Sequence, residues 1–150
     1  MDWSEVVRRA LEEHKKLDHE VRILQLRLES PATDPISKWF SACGNHFIRF
    51  HTLLRQHMEM EEDGGFMAGM REHQPGLGPA IDRLKDEHRS MRRQCREIEE
   101  RLESRTEPAM EDVRHIRDQA QTLLSTLKDH ERQENEIAQD AFIQDIGGSD

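Results

Sequence analysis

Four segments of this 150-residue chain space their apolar residues by steps of three and four, and in each segment the apolar stripe is broken by a histidine. Such steps place side chains on one face of a helix, so each segment predicts an amphipathic helix with one buried seam. The first seam is Val7, Ala10, His14, Leu17, Val21, Leu24 and Leu28, and the second is Phe40, Cys43, Phe47, Phe50, Leu54, His57 and Glu61. The third is Ile81, Leu84, His88, Met91, Cys95, Ile98 and Leu102. The fourth is Val113, Ile116, Ala120, Leu123, Leu127, His130, Glu134, Ile137 and Ala141. Six polar residues therefore interrupt the seams: His14, His57, Glu61, His88, His130 and Glu134.

Helix punctuation agrees with four elements. The first is expected from Ser4, a candidate N-cap, to Ser30, where Pro31 and Pro35 forbid continuation. Asp34 and Pro35 open the second, which Gly64 and Gly65 stop after Asp63. A loop containing "REHQPGLGP" follows, Pro79 opens the third helix to Glu103, and Pro108 opens the fourth to Phe142. Charged residues make up 35% of the chain and hydrophobic ones 34%, which favours narrow apolar stripes over sheet faces. Short connections make successive helices antiparallel, so the expected fold is all-α, an up-down-up-down four-helix bundle over residues 1–146 with 147–150 a frayed tail.

An ionised carboxylate in an apolar core costs several kcal/mol or more unless paired, and the seams offer Glu61 and Glu134 no lysine or arginine. A metal supplies the missing positive charge, and imidazole with carboxylate suits iron, manganese or zinc. The four-residue spacing of His57 and Glu61, repeated in His130 and Glu134, puts each pair on one face about a turn apart. Counted from the end holding the first and third connections, the four seam histidines lie roughly 16 to 23 residues in, one level to within about two turns. Four imidazoles and two carboxylates exceed the needs of one tetrahedral zinc and do not fill two octahedral ions. Two metals bridged by the glutamates, with two histidines each, leave an open position for a small ligand.

The net charge of −9 disfavours nucleic acid and anionic lipid surfaces. No apolar run approaches the roughly 18 to 20 residues that span a bilayer, so the expectation is a soluble, cytoplasmic protein with neither nucleic acid nor membrane as partner. Cys43 and Cys95 are read as buried reduced thiols.

The segments "LEEHKKLDHE", "LLRQHMEMEE", "LKDEHRSM" and "LKDHERQENE" resemble, in this order, the hemerythrin family, specifically the HHE cation-binding domain. The resemblance implies two Fe ions with an oxo or hydroxo bridge, for which Mn or Zn are substitutes, held by His14, His57, Glu61, His88, His130 and Glu134. It also implies a small diatomic ligand, O2 or NO. Oxygen-carrying hemerythrins have a His-x-x-x-His pair on the third helix; here Leu84 and Arg92 flank His88 at those distances. The expected role is a binder acting in sensing, storage or stress response. A di-iron enzyme with peroxidase-like, nitric-oxide-reducing or iron–sulfur-cluster repair activity is the alternative, and a metal-free helical interaction module the third reading.

The remaining residues form a control. His19, His46, His51 and His115 fall beside the seams and are expected at the surface or its boundary, with His73 in a loop. Met58, Met60, Met67 and Met70 are read as gap-filling and loop packing rather than soft-metal ligands. Glu62 is expected in solvent or behind a ligand, Asp18 as an exposed acid within reach of His14, and "HERQENEIAQD" as a solvated face from which only His130 and Glu134 turn inward.

Overall fold

A computed structural model describes residues 2–33, 35–103 and 107–147, the last seven of these as backbone only. Among the described residues there are five α-helices and no strand: α1 (Trp3–Glu29), α2 (Ile36–Asp63), α3 (Phe66–His73), α4 (Gly78–Glu103) and α5 (Met110–Gly147), with a 3-10 turn at Pro75–Leu77 before α4. The expected N-cap Asp34, the Ala141 side chain and residues 148–150 of the expected tail lie outside the described residues, and Gly147, expected in that tail, ends α5.

The last helix runs past the expected end at Phe142 to Gly147, and three further departures have local reasons. α1 starts before Ser4, because the Asp2 carbonyl accepts from the N–H groups of Glu5 and Val6 at 3.1 Å and Trp3 is buried. α5 starts after Pro108, where the Asp112 carboxylate reaches back to the Ala109 N–H at 2.9 Å, as in a capping box. The segment after Gly65 is not a loop. Gly64 ends α2 and Gly65, at φ 94°, turns the chain into α3.

α3 buries Phe66, Met67 and Met70 and packs against α1, α2, α4 and α5, closing one end of the molecule. Trp3 anchors it, stacking on Phe66 and His73 with ring centroids 6.2 and 4.9 Å away. Gly69 allows that approach, since a Cβ there would lie 2.2 Å from the Trp3 ring.

The four long helices pack in a ring, α1 on α2, α2 on α4, α4 on α5 and α5 on α1. Their seams bury the predicted residues closely, with Val21, Leu102 and Ile137 only half-buried. The core falls into two apolar clusters. One holds Leu17 to Leu28, Phe40 to Met58, Met91 to Ile98 and Val113 to Leu127. The other, under α3, holds Trp3, Val7, Ala10, Phe66, Met67, Met70, Ile81, Leu84 and Ala138. Each fully buried Leu, Ile, Phe or Met contributes roughly 1.5–3 kcal/mol. Between the clusters, at His14, His57, Glu61, His88, His130 and Glu134, the core turns polar.

Candidate metal centre

All six seam residues are buried, with Glu61, His88 and Glu134 at 0% exposure. The helices bring them into two groups of four whose nitrogen and oxygen atoms lie within 4.8 Å of one another. One group is His14, His57, Glu61 and Glu134; the other is Glu61, His88, His130 and Glu134. Both glutamates belong to both groups.

The histidines turn Nε2 inward. His57 Nε2 lies 3.2 Å and His88 Nε2 3.3 Å from Glu61 Oε1, while His130 Nε2 lies 3.2 Å and His14 Nε2 3.3 Å from Glu134 Oε1. The Nε2 atoms of His88 and His130 are 3.0 Å apart. Outward, each Nδ1 faces an oxygen. His57 Nδ1 pairs with Glu13 at 2.8 Å, His130 Nδ1 with Glu87 at 2.8 Å and His14 Nδ1 with Asn135 Oδ1 at 2.6 Å. His88 Nδ1 lies 3.4 Å from Glu62, whose other oxygen accepts from Arg92 at 2.7 Å.

These outer partners form a pattern repeated between the two helix pairs. The residue before the first histidine of each pair, Glu13 or Glu87, holds the second histidine, His57 or His130. The residue after the glutamate, Glu62 or Asn135, faces the first histidine of the other pair. Partners of this kind fix the imidazole tautomer and raise the basicity of the inward nitrogen. The sequence carried the signal as Glu-His on α1 and α4, and as His-x-x-x-Glu-Glu and His-x-x-x-Glu-Asn on α2 and α5.

Without an ion the interior is poorly balanced. His14 Nε2, His57 Nε2 and all four oxygens of Glu61 and Glu134 are buried without a hydrogen-bond partner. Burial alone would lower the histidine pKa values, but Glu134 and Glu61 raise His14 to about 11, and Glu134 and Glu87 raise His130 to about 9. Burial works to raise Glu61, yet Glu134 and the three histidines around it hold it well below the ordinary carboxylate range. Burial and the charge of Glu61 push Glu134 up. Inward atoms without hydrogen-bond partners, a set of imidazoles and carboxylates, and the outward nitrogens of His14, His57 and His130 already engaged all fit a cation.

Among the neighbours, His51, His73 and one stretch of α5 depart from expectation, while Asp18, His19, His115 and the two cysteines lie as expected. His51 is buried, not at the boundary, because it turns toward α4 and its Nδ1 lies 2.5 Å from Glu99. His73 ends α3 instead of lying in a loop. Asp18 is exposed, and it is Asn135 that orients His14. The stretch "HERQENEIAQD" turns more than two residues inward: Glu131 is buried, and burial followed by Asp18 raises its carboxyl to about 8. Cys43 and Cys95 are buried free thiols, pushed by burial to about 11 and about 12. His19 and His115 are exposed.

Among the described residues no helix is long and apolar enough to cross a membrane. Comparison with curated proteins and with solved structures gave no match. Residues 6–142 match the family model described as Hemerythrin HHE cation binding domain. That span contains all six inward residues and their outer partners, and the chain belongs to the hemerythrin HHE cation-binding family.

Proposed function

We propose that the protein binds two iron ions and, at an open iron position, a small diatomic ligand such as O2 or NO, acting in sensing, storage or stress response. The observation that carries this reading is the pair of four-residue donor groups sharing Glu61 and Glu134. Each group offers two imidazoles and two carboxylates, so His14 and His57 would hold one ion, His88 and His130 the other, and the glutamates would join them. Iron, joined in the proposed cofactor by an oxo or hydroxo bridge, supplies the ligand-binding position; manganese or zinc would fit the same donors.

The chain's own residues do the rest. Glu13, Glu87 and Asn135 keep the histidine Nδ1 atoms engaged, so that Nε2 is the lone pair presented inward. The apolar clusters on both sides exclude water and hold the two carboxylates in place. Neither Leu84 nor Arg92, the residues four before and four after His88, offers a further imidazole, and Arg92 is tied to Glu62, so the two groups have matching donors. The reading takes the four long helices to alternate in direction. Along α1 and α4 the chain passes from the cluster under α3, through the histidine, to the other cluster; along α5 it passes the opposite way.

Binding is favoured over turnover because the chain has no tyrosine to serve as a redox relay. Two buried unpaired thiols suit a reducing cytoplasm. The test is metal analysis and absorption spectroscopy of protein purified without chelator, followed by exposure to O2, NO and peroxide. The reading expects about two irons per chain and a spectrum that changes on adding O2 or NO without turnover. Less than about one metal per chain would overturn it, and catalytic consumption of peroxide or NO would make the protein an enzyme.

A further inference from the structure

A cleft of about 790 Å³ lies between α1 and α2 and reaches His57 and its partner Glu13. Its volume falls in the range of small-molecule sites. Leu17 and Leu53 line it, and Leu53 is 36% exposed, an apolar side chain left open beside the cleft. Its lining carries three cations against two acids. Of its acids, Glu13 pairs with His57 and Glu20 lies 3.5 Å from His46. Its cations Lys15, Lys16 and Arg49 make no ion pair among the described residues. On a chain of net charge −9, a cleft whose three cations are unpaired among the described residues while both its acids face histidines is a place where an anion meets less repulsion than elsewhere on such a chain.

We propose that this cleft binds a small organic anion, an apolar body bearing a carboxylate or sulfonate, and that its occupancy is coupled to the metal held by His14 and His57. The body would lie against Leu17 and Leu53 and the anionic end among Lys15, Lys16 and Arg49. Coupling follows from Glu13, which lines the cleft and holds His57 Nδ1 at 2.8 Å. An anion beside Glu13 changes the field at that hydrogen bond and hence the donor strength of His57. No outer partner of the His88 and His130 group lines the cleft. The coupling, though not the binding, rests on the metal-binding reading above.

The experiment uses anilinonaphthalene sulfonate as a fluorescent probe, with octanoate and heptyltrimethylammonium as competitors of equal tail and opposite charge. The expected result is saturable binding of one probe per chain, displaced by octanoate and not by the cation. Lys16→Glu with Arg49→Glu should weaken binding at least tenfold, while Arg132→Glu, an exposed cation on α5, should leave it unchanged. In iron-loaded protein, saturating octanoate should change the chelator release rate of one of the two metals at least fivefold. Probe binding that is non-saturable, or unmoved by the paired charge reversal, overturns the site. Probe binding with both metal release rates unchanged overturns the coupling. Because the probe titration is run with and without metal, a chain that binds the probe but no iron would refute the metal reading and leave the cleft standing.

Discussion

Glu13 and Glu87 give the most discriminating perturbation, because each touches one histidine of one donor group. Glu13→Gln keeps the shape of the contact to His57 Nδ1 but removes the charge at 2.8 Å, and Glu87→Gln does the same to His130. Loss of such an outer partner lowers metal affinity by about 10- to 100-fold, or about 1.4 to 2.7 kcal/mol. Both carboxylates are partly exposed, at 27% and 32%, which favours the lower half of that range. Neither contacts the other group, so each substitution should weaken one metal and spare its neighbour. A chelator competition titration would show this as one phase moving by about tenfold while the other stays fixed. In a His88→Ala background, which keeps only the His14 and His57 position, Glu13→Gln should still weaken binding and Glu87→Gln should not. Equal weakening of both phases by either variant, or no change from both, would refute the assignment of outer partners.

Three further outcomes follow from the same geometry. In the metal-free protein His14 and His130 hold protons up to about 11 and about 9, above the unfolded value near 6.5. Their stabilisation is complete below about pH 6.5 and is lost as pH rises through the folded values, and Glu131, raised to about 8, acts in the same direction. The His130 shift alone is worth on the order of 3 kcal/mol. The His130 loss alone should lower the metal-free Tm by roughly 6 to 12 °C between pH 6.5 and 9, with His14 and Glu131 adding to the fall, while the increase in Tm on metal loading grows; a rising metal-free Tm would contradict this. Gly69→Ala should destabilise by about 1–3 kcal/mol in a denaturant titration, because its methyl would meet Trp3, whereas a gain in stability would show that α3 does not pack as described. His51→Ala should cost about 1–3 kcal/mol by stranding Glu99 yet keep its metal, and loss of metal from this variant would place His51 in the centre.

The long helices and the six inward residues were legible because steps of three and four leave little choice of face once a helix is granted. His14, His57, Glu61, His88, His130 and Glu134 stood out as polar residues where the pattern required apolar ones. α3 was not legible, because an eight-residue helix between glycines, with Gly69 inside it, has too little periodicity to register. Its helicity comes from burial of Phe66, Met67 and Met70 under Trp3, a contact between chain positions more than sixty residues apart. His51 was misplaced for a related reason. It sits one step off its seam, and only the neighbouring α4 supplies the Glu99 that draws it inward. The outer partners were hidden because Glu13 and Glu87 adjoin one histidine in sequence and hold a different one in space.

The central claim is that Glu61 and Glu134 are common to both metal positions. It is tested most directly by the metal-to-chain ratio of three purified proteins: the unaltered chain, His88→Ala and Glu61→Ala. With each histidine proposed to serve one position and Glu61 both, the account predicts about two metals, about one and close to none, with each variant's helical circular dichroism checked to confirm folding. A folded Glu61→Ala protein that retains one metal or more per chain would contradict it.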